Sequence, residues 1–167
     1  MKQYLAPIAL SVLLHGTATA AADCATQHLE ARRSDQSLLA YVPLPDKRWC
    51  MHWHHSVAGF LVQDCYKTDR GELLLFSSHQ PDFAAGLGHF PGRGVQHSDT
   101  SGGYLIEEIN EPVTDNNYWI RIGSNKVSHR IVTADDDFNL SAVAAGELVN
   151  IRLVVSQAQS DCSESKQ

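Results

Sequence analysis

Three of the nine histidines in this chain crowd one short run, Trp49-Cys50-Met51-His52-Trp53-His54-His55-Ser56. Imidazole changes charge near neutral pH and is the commonest metal ligand, so proton transfer and metal binding are the chemistries to test first. On a strand, His52 and His54 share one face with Cα atoms about 7 Å apart. Such a pair can give two nitrogen ligands to zinc or copper, with His89 and His97 downstream as candidates to complete the set. A solvated, half-exposed strand produces the same spacing without a metal.

His55 falls on the opposite face of that strand. A buried imidazole must find hydrogen-bond partners or bear a desolvation cost of about 1 to 3 kcal/mol. Two roles follow: a structural histidine bonding loop backbone, or part of a small polar pocket formed with Ser56 and a glycine-rich loop. His55 and Ser56 project to opposite faces of a regular strand, so they do not form a nucleophile–base pair. No G-x-S-x-G elbow occurs. A hydrolase using Ser56 or Ser98 lacks a nameable base and orienting group.

The cysteines position this run. Cys24, Cys50, Cys65 and Cys162 form an even set with no C-x-x-C pair, which argues for two disulfides rather than a zinc ribbon or a dithiol redox site. Three connectivities are open; Cys50–Cys65 and Cys24–Cys162 are favoured. The second would tie the ends together and, by loop-closure entropy, contribute about 4 kcal/mol. If Cys50 faces Cys65 in a hairpin, paired residue numbers sum to 115 and the turn centres on Val57-Ala58. Trp49 then opposes Tyr66, Trp53 opposes Val62 and His55 opposes Phe60 on an apolar face. Cys50, His52 and His54 project to the other side.

Disulfides need an oxidising compartment, and the start of the chain supplies a route to one. Met1-Lys2-Gln3 is basic, Tyr4 to Leu14 is apolar, and a run of small residues ends in Ala20-Ala21-Ala22. This reads as a signal peptide over 1–22, cleaved after Ala20 or Ala22, and predicts a periplasmic or secreted protein. The apolar stretch is too short to span a bilayer stably. The remainder, 23–167, fits one domain with a polar tail over 156–167. The chain carries a formal charge of -6 with no polybasic patch, which excludes the usual footprint of nucleic-acid binding. No second membrane segment follows the signal.

Residues 27–155 read as short strands punctuated by turn formers, such as Pro43-Leu44-Pro45-Asp46, Asp69-Arg70-Gly71 and Gly123-Ser124-Asn125. Strands are expected over 28–33, 38–42, 48–54, 60–67, 72–78, 103–109, 118–122, 128–132 and 147–155. The pattern predicts an all-β fold, an antiparallel β-sandwich or partly open barrel of about eight or nine strands. Ala142–Ala145 suits a helical turn. One long Gly/Pro/His-rich loop, 79–102, breaks the rhythm, and loops of that length are usually functional or disordered. Within it, 84–88 could offer successive backbone N–H groups to an anion, though no strand-to-helix pattern supports a nucleotide site. Asp135-Asp136-Asp137 lacks the spaced ligands of a calcium loop and reads as a solvated turn.

The ordered motifs resemble the DUF1850 family. Trp53-His54-His55-Ser56-Val57, with Val62 after it, is similar to the family's aromatic-x-His-Ser-Val segment, and Phe83-Ala84-Ala85-Gly86-Leu87 to its later glycine-rich segment. The likeness extends to Leu38–Leu44, to Trp119-Ile120-Arg121-Ile122-Gly123 and to a closing strand after Gly146. Ala58 stands where the family pattern has Glu, Ala84 replaces a Gly and Gly88 a Pro. The resemblance implies a non-enzymatic exported accessory to solute uptake of the TRAP type, TAXI class, partnering a substrate-binding protein or another transporter component. Its expected recognition patch is His55, Ser56, Phe83, Ala85, Gly86 and Leu87, open to a small anionic solute, with no cofactor. The alternative is a zinc- or copper-binding protein.

Overall fold

A computed structural model describes residues 26–81, 92–98 and 103–156. The expected signal peptide, the Cys24–Cys162 bridge, His89 and the 83–87 segment lie outside these residues.

Hydrophobic alternation builds the smaller sheet. In β1 (Thr26–Arg33) Gln27, Leu29 and Ala31 are buried, while His28, Glu30 and Arg32 face outward. In β12 (Leu148–Ser156) Val149, Ile151 and Leu153 turn to the same interior. With β2 (Leu38–Pro43) and β9 (Asn117–Arg121) these strands form a four-stranded antiparallel sheet in the order β2-β1-β12-β9.

The larger sheet has eight strands. Its main path runs β11 (Asp137–Asn139), β10 (Arg130–Val132), β3 (Arg48–His54), β4 (Leu61–Asp69), β5 (Glu72–Gln80), β7 (Tyr104–Glu107) and β6 (Val95–Ser98), and β8 (Glu111–Pro112) also pairs with β5. The hairpin of β3 (Arg48–His54) and β4 (Leu61–Asp69) holds the register that the cysteines imply. Cys50 faces Cys65, Trp49 faces Tyr66, Trp53 faces Val62 and His54 faces Leu61. The Cys50–Cys65 disulfide is formed, with a Cα separation of 4.0 Å. Two sheets therefore enclose one core, in which Trp49, Met51, Leu73 and Ile131 meet Leu29, Val149 and Ile151.

Several details differ from expectation. The described residues contain twelve strands, because short pairs form where turn chemistry alone predicts loop. β6 (Val95–Ser98) lies inside the long Gly/Pro/His-rich segment, paired with β7 (Tyr104–Glu107), and β5 (Glu72–Gln80) runs two residues further than read. Asp137 is not only a turn residue: it begins β11 (Asp137–Asn139) beside β10 (Arg130–Val132), and Arg130 Nε donates to it at 2.6 Å. The helical turn sits earlier than expected, as α1 (Leu140–Ala144), capped by the Asn139 side chain accepting from Ala142 N–H. The strand differences follow from cross-strand bonding, which short-range signals do not encode.

Candidate functional site

Hairpin geometry places the expected histidines first. His52 and His54 lie on the face away from Trp49 and Met51, as the Cys50–Cys65 register requires. Burial lowers the pKa of His52, with the Arg130 charge adding to the effect and Asp137 opposing it. His97 sits on β6, four strands along the sheet from His52, or about 19 Å at ordinary strand spacing. Its near neighbour is Glu107, at 3.5 Å. Among the described residues no three His, Cys, Asp or Glu side chains gather as a metal-binding set.

His55 occupies the β3–β4 turn. Its N–H bonds Phe60 C=O at 2.8 Å, its Nδ1 accepts from Ala58 N–H at 3.1 Å, and its ring stacks on Phe60 with centroids 5.0 Å apart. That nitrogen is committed to holding the turn. Ser56 beside it is exposed.

A different group gathers midway along β4. Asp64 opposes Met51 on the core face and is only 8% exposed, an unusual place for a carboxylate. Burial pushes its pKa up to about 6, against the pull of a Ser78 hydrogen bond and the Arg93 charge. Behind it runs a buried polar chain: Tyr104 Oη donates to Gln80 Oε1 at 3.0 Å, and Gln80 Nε2 donates to Ser78 Oγ at 3.0 Å. Two residues along β4, Tyr66 stacks between Trp49, at 4.4 Å, and Tyr118 of the opposite sheet, at 5.8 Å. Burial raises both phenol pKa values, and the nearby Asp64 charge adds to that, so both hydroxyls stay protonated.

A β-bulge opens space beside these rings. Cys65 pairs with Ser77 but Tyr66 with Leu75, leaving Phe76 as an extra residue in β5. Beyond β5 the partner changes across this bulge, from β7 along Ser78–Gln80 to β8 along Leu74–Leu75. The resulting cleft, about 220 Å³, is lined by Tyr66, Tyr118, Leu75, Pro112, Val113, Arg93 and Glu111. Arg93 donates to Glu111 from Nε at 3.1 Å and from a terminal nitrogen at 3.0 Å.

Four buried side-chain atoms lack a hydrogen-bond partner among the described interactions: Trp49 Nε1, His54 Nδ1, Asp64 Oδ1 and Tyr118 Oη. Two of these belong to the Asp64–Tyr118 cluster. Tyr66 lies near enough to perturb the Tyr118 hydroxyl, but not in hydrogen-bonding geometry. A neighbouring cavity of about 280 Å³ shares Pro112 and Val113. Its one amide is already used, since Asn116 accepts from Leu73 N–H and donates to Gly71 C=O.

The family described as Domain of unknown function (DUF1850) matches residues 50–140. The chain belongs to the DUF1850 family. No curated protein and no solved structure matches it. The DUF1850 segment runs from Cys50 in β3 to Leu140 at the start of α1, so every residue lining the cleft, and Asp64 behind it, falls within it. Most of the smaller sheet (β1, β2 and β12) falls outside. Sequence reading missed Asp64, although the register that pairs Trp49 with Tyr66 already puts Asp64 opposite Met51. Tyr118 and Arg93 carried no local signal.

Proposed function

We propose that this DUF1850 domain is an exported, non-enzymatic binding domain that serves as an accessory to TRAP-type solute uptake of the TAXI class. The observation that supports it best is the pair of buried, unpartnered polar atoms, Asp64 Oδ1 and Tyr118 Oη, beside a cleft inside the family-matched segment. Buried polar atoms are rarely left unsatisfied, and one on the wall of a partly apolar cleft, as Tyr118 Oη is, suits capture of a small solute. The disulfide suits an oxidising, extracytoplasmic setting.

A protein component of the transporter has a surface to meet on the outer face of the smaller sheet. Tyr41 and Trp119 stand on its two edge strands, 58% and 48% exposed. Between them Glu30 accepts hydrogen bonds from Arg32 and Arg152. Ordered arginines and exposed aromatics are the residue types that dominate protein interfaces. Together with Arg121 they make this face locally basic within a chain of net charge -6, which suits an acidic partner surface.

The test is made in cells that carry the chain and a TAXI-type permease. Fractionation should place the oxidised protein outside the cytoplasm, and uptake should fall when the gene is deleted. Tyr66→Ala should reproduce the uptake defect with the protein still present, and Trp119→Ala should weaken co-purification with the transporter. Unchanged uptake in the deletion strain would overturn the proposal.

A further inference from the structure

Of the strands that end the two sheets, β9 is the one left undefended. Edge strands are ordinarily blunted by shortness, proline, lysine or a bulge, because their unpaired backbone groups recruit another strand. β2 carries a register shift against β1 and ends in Pro43, and β6 and β11 have only four and three residues. β9 runs five residues, Asn117–Arg121, with no proline, lysine or register shift. The ladder sets its backbone direction. Ile122 N–H bonds Glu147 C=O at 2.9 Å, in step with the β9–β12 register, so Ile120 and Tyr118 also bond toward β12. Trp119 and Arg121 therefore aim their N–H and C=O groups off the sheet, and among the described residues nothing bonds them.

Space and charge select the occupant. Tyr118 stacks over Tyr66, so β9 lies above β4, and the larger sheet continues past it through β5, β7 and β6. A second copy pairing β9 with β9 about a two-fold axis would drive the two overhangs into one another; a single strand avoids this. Side chains on an added strand share faces with the β9 residues they oppose. Those beside Tyr118 point toward the cleft walls of Leu75, Pro112 and Val113, which suits apolar residues. Those opposite Trp119 and Arg121 point outward, where Trp119 is 48% exposed. Arg121 there donates to Gly146 C=O and has no carboxylate partner among the described residues.

Resting on the reading of this face as the transporter-binding surface, we infer that the partner docks by strand addition: an extended segment alternating apolar and acidic residues pairs with β9. It runs antiparallel, as every strand of this sheet does. Its main chain bonds Trp119 and Arg121, its apolar side chains face the cleft, and its acidic ones meet Arg121.

The probe is a short peptide alternating glutamate and valine, titrated into the full oxidised chain, with amide hydrogen exchange followed residue by residue by NMR. In the free chain the Trp119 and Arg121 amides should exchange at least about tenfold faster than those of Tyr118 and Ile120. The peptide should slow exchange at Trp119 and Arg121 by at least about tenfold, and a lysine–valine peptide should not. N-methylation of the glutamates, whose N–H groups face β9, should abolish the protection, whereas N-methylation of the valines should leave it. Failure of the glutamate peptide to protect either amide overturns strand addition. Equal protection by the lysine peptide overturns the acidic assignment while keeping the edge. Protection already present in the free chain overturns the proposal too: if it fades on dilution a second copy holds the edge, and if it does not the chain covers its own edge. The transporter reading is tested separately, and it survives if Trp119→Ala weakens co-purification while no amide is protected; side chains alone then make the contact.

Discussion

Trp49 of β3 lies flat against Tyr66 of β4, ring centroids 4.4 Å apart and planes 11° from parallel, one residue pair along from the Cys50–Cys65 disulfide. Tyr66 in turn meets Tyr118 of the other sheet. The disulfide thus staples the hairpin that carries the aromatic bridge between the sheets, and the cleft opens at the far end of that bridge.

Breaking the staple should cost stability without changing the fold. The bond closes a separation of 15 residues, for which loop entropy gives about 3 kcal/mol. A Cys50→Ala/Cys65→Ala variant should show a lower urea midpoint than the oxidised protein, and reductant should no longer change it. Equal midpoints for the variant and the oxidised chain would show that the bond contributes nothing.

Along the aromatic bridge, truncation and polar-atom removal should act differently. Trp49 is 1% exposed, so Trp49→Ala should destabilise by about 3 to 5 kcal/mol through the cavity it leaves. Tyr118→Phe removes a buried hydroxyl that bonds nothing, and should be neutral or stabilising to within about 1 kcal/mol. A loss of about 2 kcal/mol or more on Tyr118→Phe, measured by chemical denaturation, would mean that the hydroxyl has a structural partner.

Two carboxylates should give opposite pH dependence. Asp64 titrates at about 6 when folded, against 3.8 for the free group, so between these values the folded state holds a proton that the unfolded state has lost. Stability from this group is full below about pH 4 and declines as pH rises through 6. Asp64→Asn should therefore stabilise at about pH 8, on the order of 2 kcal/mol, and have little effect at about pH 4. Glu30 is held down to about 2, chiefly by its hydrogen bond from Arg32, with Arg152 contributing. Its contribution is present above about 4.5 and is lost as pH falls toward 2. Denaturation of Asp64→Asn and Glu30→Gln across this range separates the two; parallel pH profiles would contradict both assignments.

Gly94 fixes where Arg93 stands. Its φ is +67°, and a Cβ built there would lie 2.3 Å from the Glu107 carbonyl oxygen. Gly94→Ala must push β6 off β7 and carry Arg93 away from Glu111. Ring shifts at Tyr66 and Tyr118 should follow, together with a stability loss above the roughly 1 kcal/mol expected from backbone strain alone. Gly59, at φ +75° in the hairpin turn with open space around it, should lose only the strain term on substitution by Ala. Equal losses at the two positions would remove the packing argument for Gly94.

Much of this was legible in the residues alone. The cysteine spacing gave the hairpin register, and with it the inward Trp49–Tyr66 pair and the outward His52 and His54. A period of two is strict enough that one correct pairing fixes every side chain on both strands. Burial of Asp64 was implicit in the same arithmetic, but an acidic residue between apolar neighbours does not announce a buried site.

Local sequence determined that this chain forms many short antiparallel strands, where they turn, and which face of the central hairpin is dry, because alternation and turn chemistry act over a few residues. Only the tertiary structure decided that Tyr118 from one sheet meets Tyr66 from the other and lines one cleft with it and with Arg93 beside β6. Those residues are brought together by a bulge in β5 and by sheet-on-sheet packing, both set by contacts between segments far apart in the chain, which no local pattern records.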